Sequence, residues 1–164
     1  MTITVPTDLW NSYYEACDFF LDDSHIGSTC TLVYPSRKIS CNNCVTNTIG
    51  ATSTNSYRHG GPAPFSFGSC SLCGGNGYKE EEVTGTIRLR MYWRQRDWIK
   101  VSEISFPDAN VQVIGYLTDL PNLKKANEVR LNNQYGDWRF QLSGETFPHG
   151  FGKSRYFVAF LKRI

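Results

Sequence analysis

The chain has 164 residues, 17 basic against 15 acidic, a formal net charge of +2, and is 40% hydrophobic and 20% charged. That is enough chain for one domain of ordinary size with an excursion, and too apolar for a disordered tail. The near-neutral charge argues against a protein that holds nucleic acid mainly by charge, though it leaves room for a local basic patch, and no apolar run approaches the roughly 20 residues of a membrane helix.

The N-terminus, Met1-Thr2-Ile3-Thr4-Val5-Pro6, has neither a basic region nor an apolar core, so no signal peptide is read here and a cytosolic protein is expected. Residues 7–22 then show helical spacing: Leu9, Tyr13, Ala16, Cys17, Phe20 and Leu21 form one apolar stripe. Thr7 or Asp8 is the expected cap, and Asp22, Asp23 and Gly27 the expected end. Cys17 on that stripe reads as a small core residue. Cys30-Thr31-Leu32-Val33-Tyr34 is a short β-type run that Pro35 is expected to stop.

Across residues 36–80 Ser, Asn, Gly and Pro dominate and hydrophobic periodicity disappears. Such a stretch cannot bury enough apolar surface to order itself, so an external staple is expected. It holds two Cys-x-x-Cys pairs, Cys41-Asn-Asn-Cys44 and Cys70-Ser-Leu-Cys73. Each pair presents two thiolates to one ion from a single tight turn, and two pairs complete a tetrahedral zinc site of four thiolates. With every position taken by thiolate, the zinc is expected to be structural, with no place for a reacting water. Two other chemistries use such pairs. A redox pair opens a helix after a strand, whereas these sit in polar loop; disulfides belong to oxidising compartments. His59, between the pairs, reads as an ordinary loop histidine.

From Val83 onward β-structure is expected. Thr86 to Trp93 alternates, with Ile87, Leu89, Met91 and Trp93 on one face and Arg88, Arg90 and Tyr92 on the other. Asp97 to Val101 and Val111 to Leu117 are further strands, with a turn at Pro107-Asp108-Ala109-Asn110 between them. Leu120 to Ala126 is read as one or two helical turns, capped by Asp119 and carrying Pro121 in the first turn. Glu128 to Leu131, Trp138 to Leu142 and Arg155 to Lys162 complete the strands, with Asn133 to Asp137 as a hairpin loop. The expected fold is mainly β: a small antiparallel barrel or sandwich with one N-terminal helix and a zinc-knuckle insertion. Residues 1–35 and 81–164 form one domain, and residues 36–80 the insertion.

No triad, carboxylate dyad or phosphate loop stands out, so neither catalytic nor cofactor-binding residues are assigned and no enzyme is expected. Glu80-Glu81-Glu82 reads as a solvated strand edge.

Two resemblances add to this. Cys70-Ser-Leu-Cys73-Gly74-Gly75-Asn76-Gly77-Tyr78 resembles the Cys-x-x-Cys-x-Gly-x-Gly repeat of the DnaJ chaperone zinc domain, which implies knuckle geometry at Cys70 and Cys73. The chain has no His-Pro-Asp tripeptide, so the chaperone function is not carried over. The β-region, Thr86 to Leu117, then Thr118-Asp119-Leu120-Pro121, then Phe147 to Arg163, is similar to head–tail connector and head-closure (stopper) proteins of tailed phages. That similarity implies a virion protein, assembled in the host cytoplasm as a homo-oligomeric ring of six or twelve copies. Its implied partners are other neck, portal, adaptor or tail proteins, with passive contact to DNA in a channel and no membrane. Trp93, Trp98, Trp138, Tyr92 and Tyr135 are candidate subunit-contact aromatics, and Arg88 and Arg90 candidates to face a DNA channel. The other reading is a zinc-knuckle protein that binds single-stranded nucleic acid or regulates, because Arg88, Arg90, Arg94 and Arg96 interleave with Tyr92, Trp93 and Trp98.

Overall fold

The computed structural model describes residues 6–23, 26–47, 52–66, 68–93, 110–134, 136–150 and 154–164. The strand expected at Asp97 to Val101, most of the turn before Asn110, and Arg94, Arg96, Trp98 and Tyr135 lie outside these residues. Contacts divide the chain into two units, one of Met1–Tyr34 with Thr84–Ile164 and one of Pro35–Val83. The boundaries fall inside two long strands, β1 (Ser28–Ser40) and β4 (Tyr78–Tyr92).

The first unit is a closed six-strand barrel preceded by a helix, α1 (Thr7–Asp22). Its other strands are β5 (Val111–Tyr116), β6 (Glu128–Asn133), β7 (Gly136–His149) and β8 (Tyr156–Arg163), in the order β1-β4-β5-β8-β7-β6. The pairings are antiparallel: Thr31 faces Arg130, Met91 faces Val113, Gly115 faces Phe157 and Val129 faces Phe140. A 3-10 turn (Leu117–Asp119) leads into α2 (Leu120–Lys125), with Pro121 in its first turn. The barrel is therefore the expected fold, closed on itself so that no barrel edge is left unpaired.

Its core follows from alternation. Leu32, Ile87, Leu89, Val113, Val129, Leu131, Phe140, Phe157, Ala159 and Leu161 point inward and are buried, with Leu123 of α2 and Cys30 beside them. Strand β8 is buried from Tyr156 through Leu161, on both faces, which explains its unbroken apolar run. Burial also pushes the Cys30 thiol up to about 12, so it stays protonated as a small core residue.

Several local expectations need correction. Pro35 does not end β1, which runs on to Ser40; the β6 register ends at Val33, so the missing Pro35 N–H costs no bond on that side. Neither Thr7 nor Asp8 caps α1: Pro6 holds the cap position, no side chain caps it, and Leu9 N–H bonds the Pro6 carbonyl at 3.1 Å. Asp119 precedes α2 without a side-chain cap bond. Residues 36–80 are not devoid of strands: besides the ends of β1 and β4 they carry β2 (Cys44–Thr46) and β3 (Ser53–Tyr57), paired antiparallel.

The stripe on α1 is covered in part: Leu21 is buried and Tyr13 and Cys17 are half-buried, while Leu9 is 62% and Phe20 39% exposed. Polar groups add to the attachment. Tyr156 donates to Asp18 Oδ1 at 2.7 Å, with the Tyr14 carbonyl 3.2 Å from the same hydroxyl, and Tyr116 donates to Asp22 Oδ2 at 3.1 Å. Asp18 and Asp22 are one turn apart, and Tyr116 and Tyr156 face each other across β5 and β8, so two hydroxyls meet two carboxylates. Arg155 joins Asp18 at 3.3 Å and lies over the Tyr14 ring.

Candidate metal centre

In the Pro35–Val83 unit the backbone builds two knuckles. Cys41 follows β1, and Cys44 opens β2 opposite Tyr57 of β3. The second knuckle winds through successive tight turns: Gly74 N–H bonds the Cys70 carbonyl at 2.7 Å and Asn76 N–H the Cys73 carbonyl at 3.0 Å. Gly74, Gly75 and Gly77 all take positive φ (59°, 86° and 80°), so the glycines after Cys73 are required by backbone conformation. Cys41 N–H then bonds the Gly77 carbonyl at 2.9 Å, tying one knuckle to the other.

This brings the four sulfurs of Cys41, Cys44, Cys70 and Cys73 within 4.8 Å of one another, all buried. Cys41 and Cys70 Sγ are 3.8 Å apart, and Cys44 and Cys73 Sγ 3.6 Å. All six cysteines of the chain are free. A disulfide needs sulfurs about 2 Å apart. Four ligands at the Zn–S distance of about 2.3 Å stand about 3.8 Å from each other along a tetrahedron's edge. The cluster therefore fits one metal ion with soft, tetrahedral preference. Phe65 and Leu72 pack against it, and the Tyr57 ring stands edge-on to Phe65 at 6.0 Å.

The electrostatics are uneven. The Asn43 side-chain amide, which donates to Cys70 Sγ at 3.3 Å, holds that thiol down to about 6, and the Leu72 and Cys73 backbone N–H groups assist. Burial pushes the Cys44 thiol up to about 12. A divalent cation that replaces the protons supplies the charge that four clustered thiolates need.

His59 is exposed and outside the cluster, Cys17 is half-buried on α1, and Cys30 lies in the barrel core. Asn43, fully buried between the first two cysteines, went unrecognised in the sequence: an Asn in a polar loop reads as a turn residue, and nothing local shows that it is enclosed. In the same unit Glu81 pairs with Arg37 at 3.0 Å on an exposed face.

The other candidate residues lie in the barrel unit. Arg88 and Arg90 are half-buried, and the Arg90 guanidinium sits over Phe20 of α1 at 4.2 Å and over Tyr92 at 5.0 Å. Trp93 is 46% exposed, edge-on to Trp138 at 5.5 Å, and Arg163 covers the Trp138 ring. Among the described residues no helix is long and apolar enough to cross a membrane.

No protein-family description, curated protein or solved structure matches this chain.

Proposed function

We propose that the four-cysteine centre is a structural zinc site and that the protein is a non-catalytic assembly component, a ring-forming connector or head-closure protein of a phage head–tail junction. The observation that carries the reading is the closed cluster of four buried sulfurs, because every coordination position is filled by protein and the metal is left with a structural task. Zinc is favoured by the all-thiolate donor set and by S···S spacings of 3.6 and 3.8 Å.

Two features support assembly. A closed barrel behind one N-terminal helix is the architecture the connector resemblance implies. The helix also leaves Leu9 and Phe19 exposed, carries Asp8 and Glu15 besides the Asp18 and Asp22 that bond the barrel, and has no basic residue. The rest of the same chain therefore holds the positive excess, and a second copy is the occupant whose charge complements this face. A head-to-tail contact of that kind closes into a ring when its rotation permits.

Native mass spectrometry of the purified protein tests both parts. A closed ring of six or twelve copies with one zinc per chain is expected. A monomer with salt-dependent affinity for single strands overturns the connector reading in favour of nucleic-acid binding. A chain free of metal overturns the zinc.

A further inference from the structure

Asn43 makes more contacts than a turn residue requires. Its side-chain amide pairs with both backbone groups of Ala63: Ala63 N–H donates to Oδ1 at 2.9 Å, and Nδ2 donates to the Ala63 carbonyl at 2.8 Å. The same Nδ2 reaches Cys70 Sγ at 3.3 Å. Its backbone carbonyl accepts from Arg58 N–H at 3.0 Å. One fully buried residue thus holds the loop 58–63 at both ends while touching a metal-ligand sulfur.

The loop is shaped to accept this. Gly61 N–H closes on the Arg58 carbonyl at 2.9 Å, and Tyr57 donates to the Gly61 carbonyl at 2.8 Å. Gly61 passes so close that an added Cβ would stand 2.6 Å from Asn43 Oδ1 and 3.0 Å from Asn43 Cα. Arg58, His59 and Gly60 remain exposed at the tip.

We infer that Asn43 is a positioning residue that couples the metal centre to the loop 58–63, so that the exposed Arg58-His59-Gly60 tip holds its shape only while metal fills the four sulfurs. The reasoning is geometric. Nδ2 has two protons, one for the sulfur and one for Ala63; fixing the sulfur on a metal fixes the amide plane, and the amide plane fixes Ala63. The inference rests on the zinc reading, and its test separates the two.

The experiment is amide hydrogen exchange on the full chain, with one equivalent of zinc and after chelation, for wild type, Asn43→Ala and Gly61→Ala. Cobalt(II) absorption and zinc competition are read on the same samples. In wild type, removing zinc is expected to speed exchange at Arg58 and Ala63 by far more than about tenfold along with the rest of Pro35–Val83, so the coupling through Asn43 is read from the metal-loaded variants. Asn43→Ala at saturating zinc is expected to keep the tetrathiolate cobalt spectrum, weaken metal binding about 10- to 100-fold and release the Ala63 amide. It should leave Arg58 less affected, because the Arg58 partner is the backbone carbonyl. Should Asn43→Ala not fold, Gly61→Ala retains every Asn43 group and is expected to release Ala63 by steric displacement with zinc still bound. Ala63 exchange that is the same with and without zinc, or unchanged in the metal-loaded variants, overturns the coupling. A wild-type chain that takes up no metal overturns the zinc reading beneath it.

Discussion

The two units of this chain are cohesive for different reasons. The barrel buries one continuous apolar cluster, from Leu32 and Leu89 through Phe140 to Leu161, with no member from Pro35–Val83. The Pro35–Val83 unit has at its centre four sulfurs, with Phe65 and Leu72 half-buried against them. Oil-like burial supplies about 25 cal/mol per Å² and needs many side chains. The metal proposed for those sulfurs would supply comparable cohesion from four side chains and leave the residues around it free to stay polar. A Ser-, Asn- and Gly-rich sequence can therefore be as ordered as the apolar barrel, provided the ion is there.

The sharpest way to break the comparison is to remove the ion. Chelation, or Cys41→Ser or Cys73→Ser, is expected to unfold Pro35–Val83 while the barrel persists. Structural zinc contributes an apparent ~10–16 kcal/mol at neutral pH, more than this small sulfur-centred cluster can replace. Limited proteolysis checks it: cuts are expected within residues 36–80, with barrel fragments surviving. Loss of the barrel at the same zinc activity would show the two units to be one cooperative system.

The converse experiment attacks the other cement. Phe140 is fully buried between β6 and β8, and Phe140→Ala is expected to cost about 3–5 kcal/mol. Denaturant melts should show the loss in the barrel transition, with zinc stoichiometry unchanged. Zinc release in step with barrel destabilisation would contradict two separate cohesions.

The same contrast decides how much could be read from sequence. The four metal-ligand candidates were legible because Cys-x-x-Cys spacing is local and its chemistry specific. The strands from Ile87, Val111 and Tyr156 were legible because alternation or apolar runs mark them. The long ends of β1 and β4 were not, since residues 36–40 and 78–83 are largely polar and strand there without apolar alternation. The stripe on α1 gave the helix its bounds but not its attachment, because periodicity reports an amphipathic face and is silent on what covers it. Asn43 and Gly61 could not be found: the pairing of Asn43 with Ala63 spans 20 residues and exists only once the knuckle is built.

The attachment of α1 gives a smaller effect. The Tyr156 hydroxyl is held by Asp18, with the Tyr14 carbonyl beside it, and its ionisation is pushed well above the ordinary tyrosine value, by burial first and by the Asp18 bond second. Tyr156→Phe removes that bond, leaves the ring in place and is expected to cost about 2 kcal/mol, as for a bond to a charged group. The loss should appear as faster amide exchange in α1, with little change in β8. Equal loosening of helix and strand would mean that the ring, and not the hydroxyl, anchors the helix.

The smallest effect is a pH dependence confined to the barrel unit. His149 Nε2 lies 3.4 Å from Tyr13 Oη, and burial lowers the His149 pKa below its ordinary 6.5. The folded state therefore favours the neutral ring, whereas the unfolded chain takes up a proton at about 6.5. Between that value and the folded one the unfolded state binds more protons, so stability falls as pH drops through the window and levels off once both states are protonated. Thermal melts of wild type and His149→Gln from pH 7 downward measure it. Wild type is expected to lose stability relative to the variant just below pH 6.5, at unchanged metal content above that point. Parallel curves would show that burial does not hold His149 neutral. A difference that vanishes after chelation would tie it to the cysteine-bearing unit, against the separation of the two cohesions.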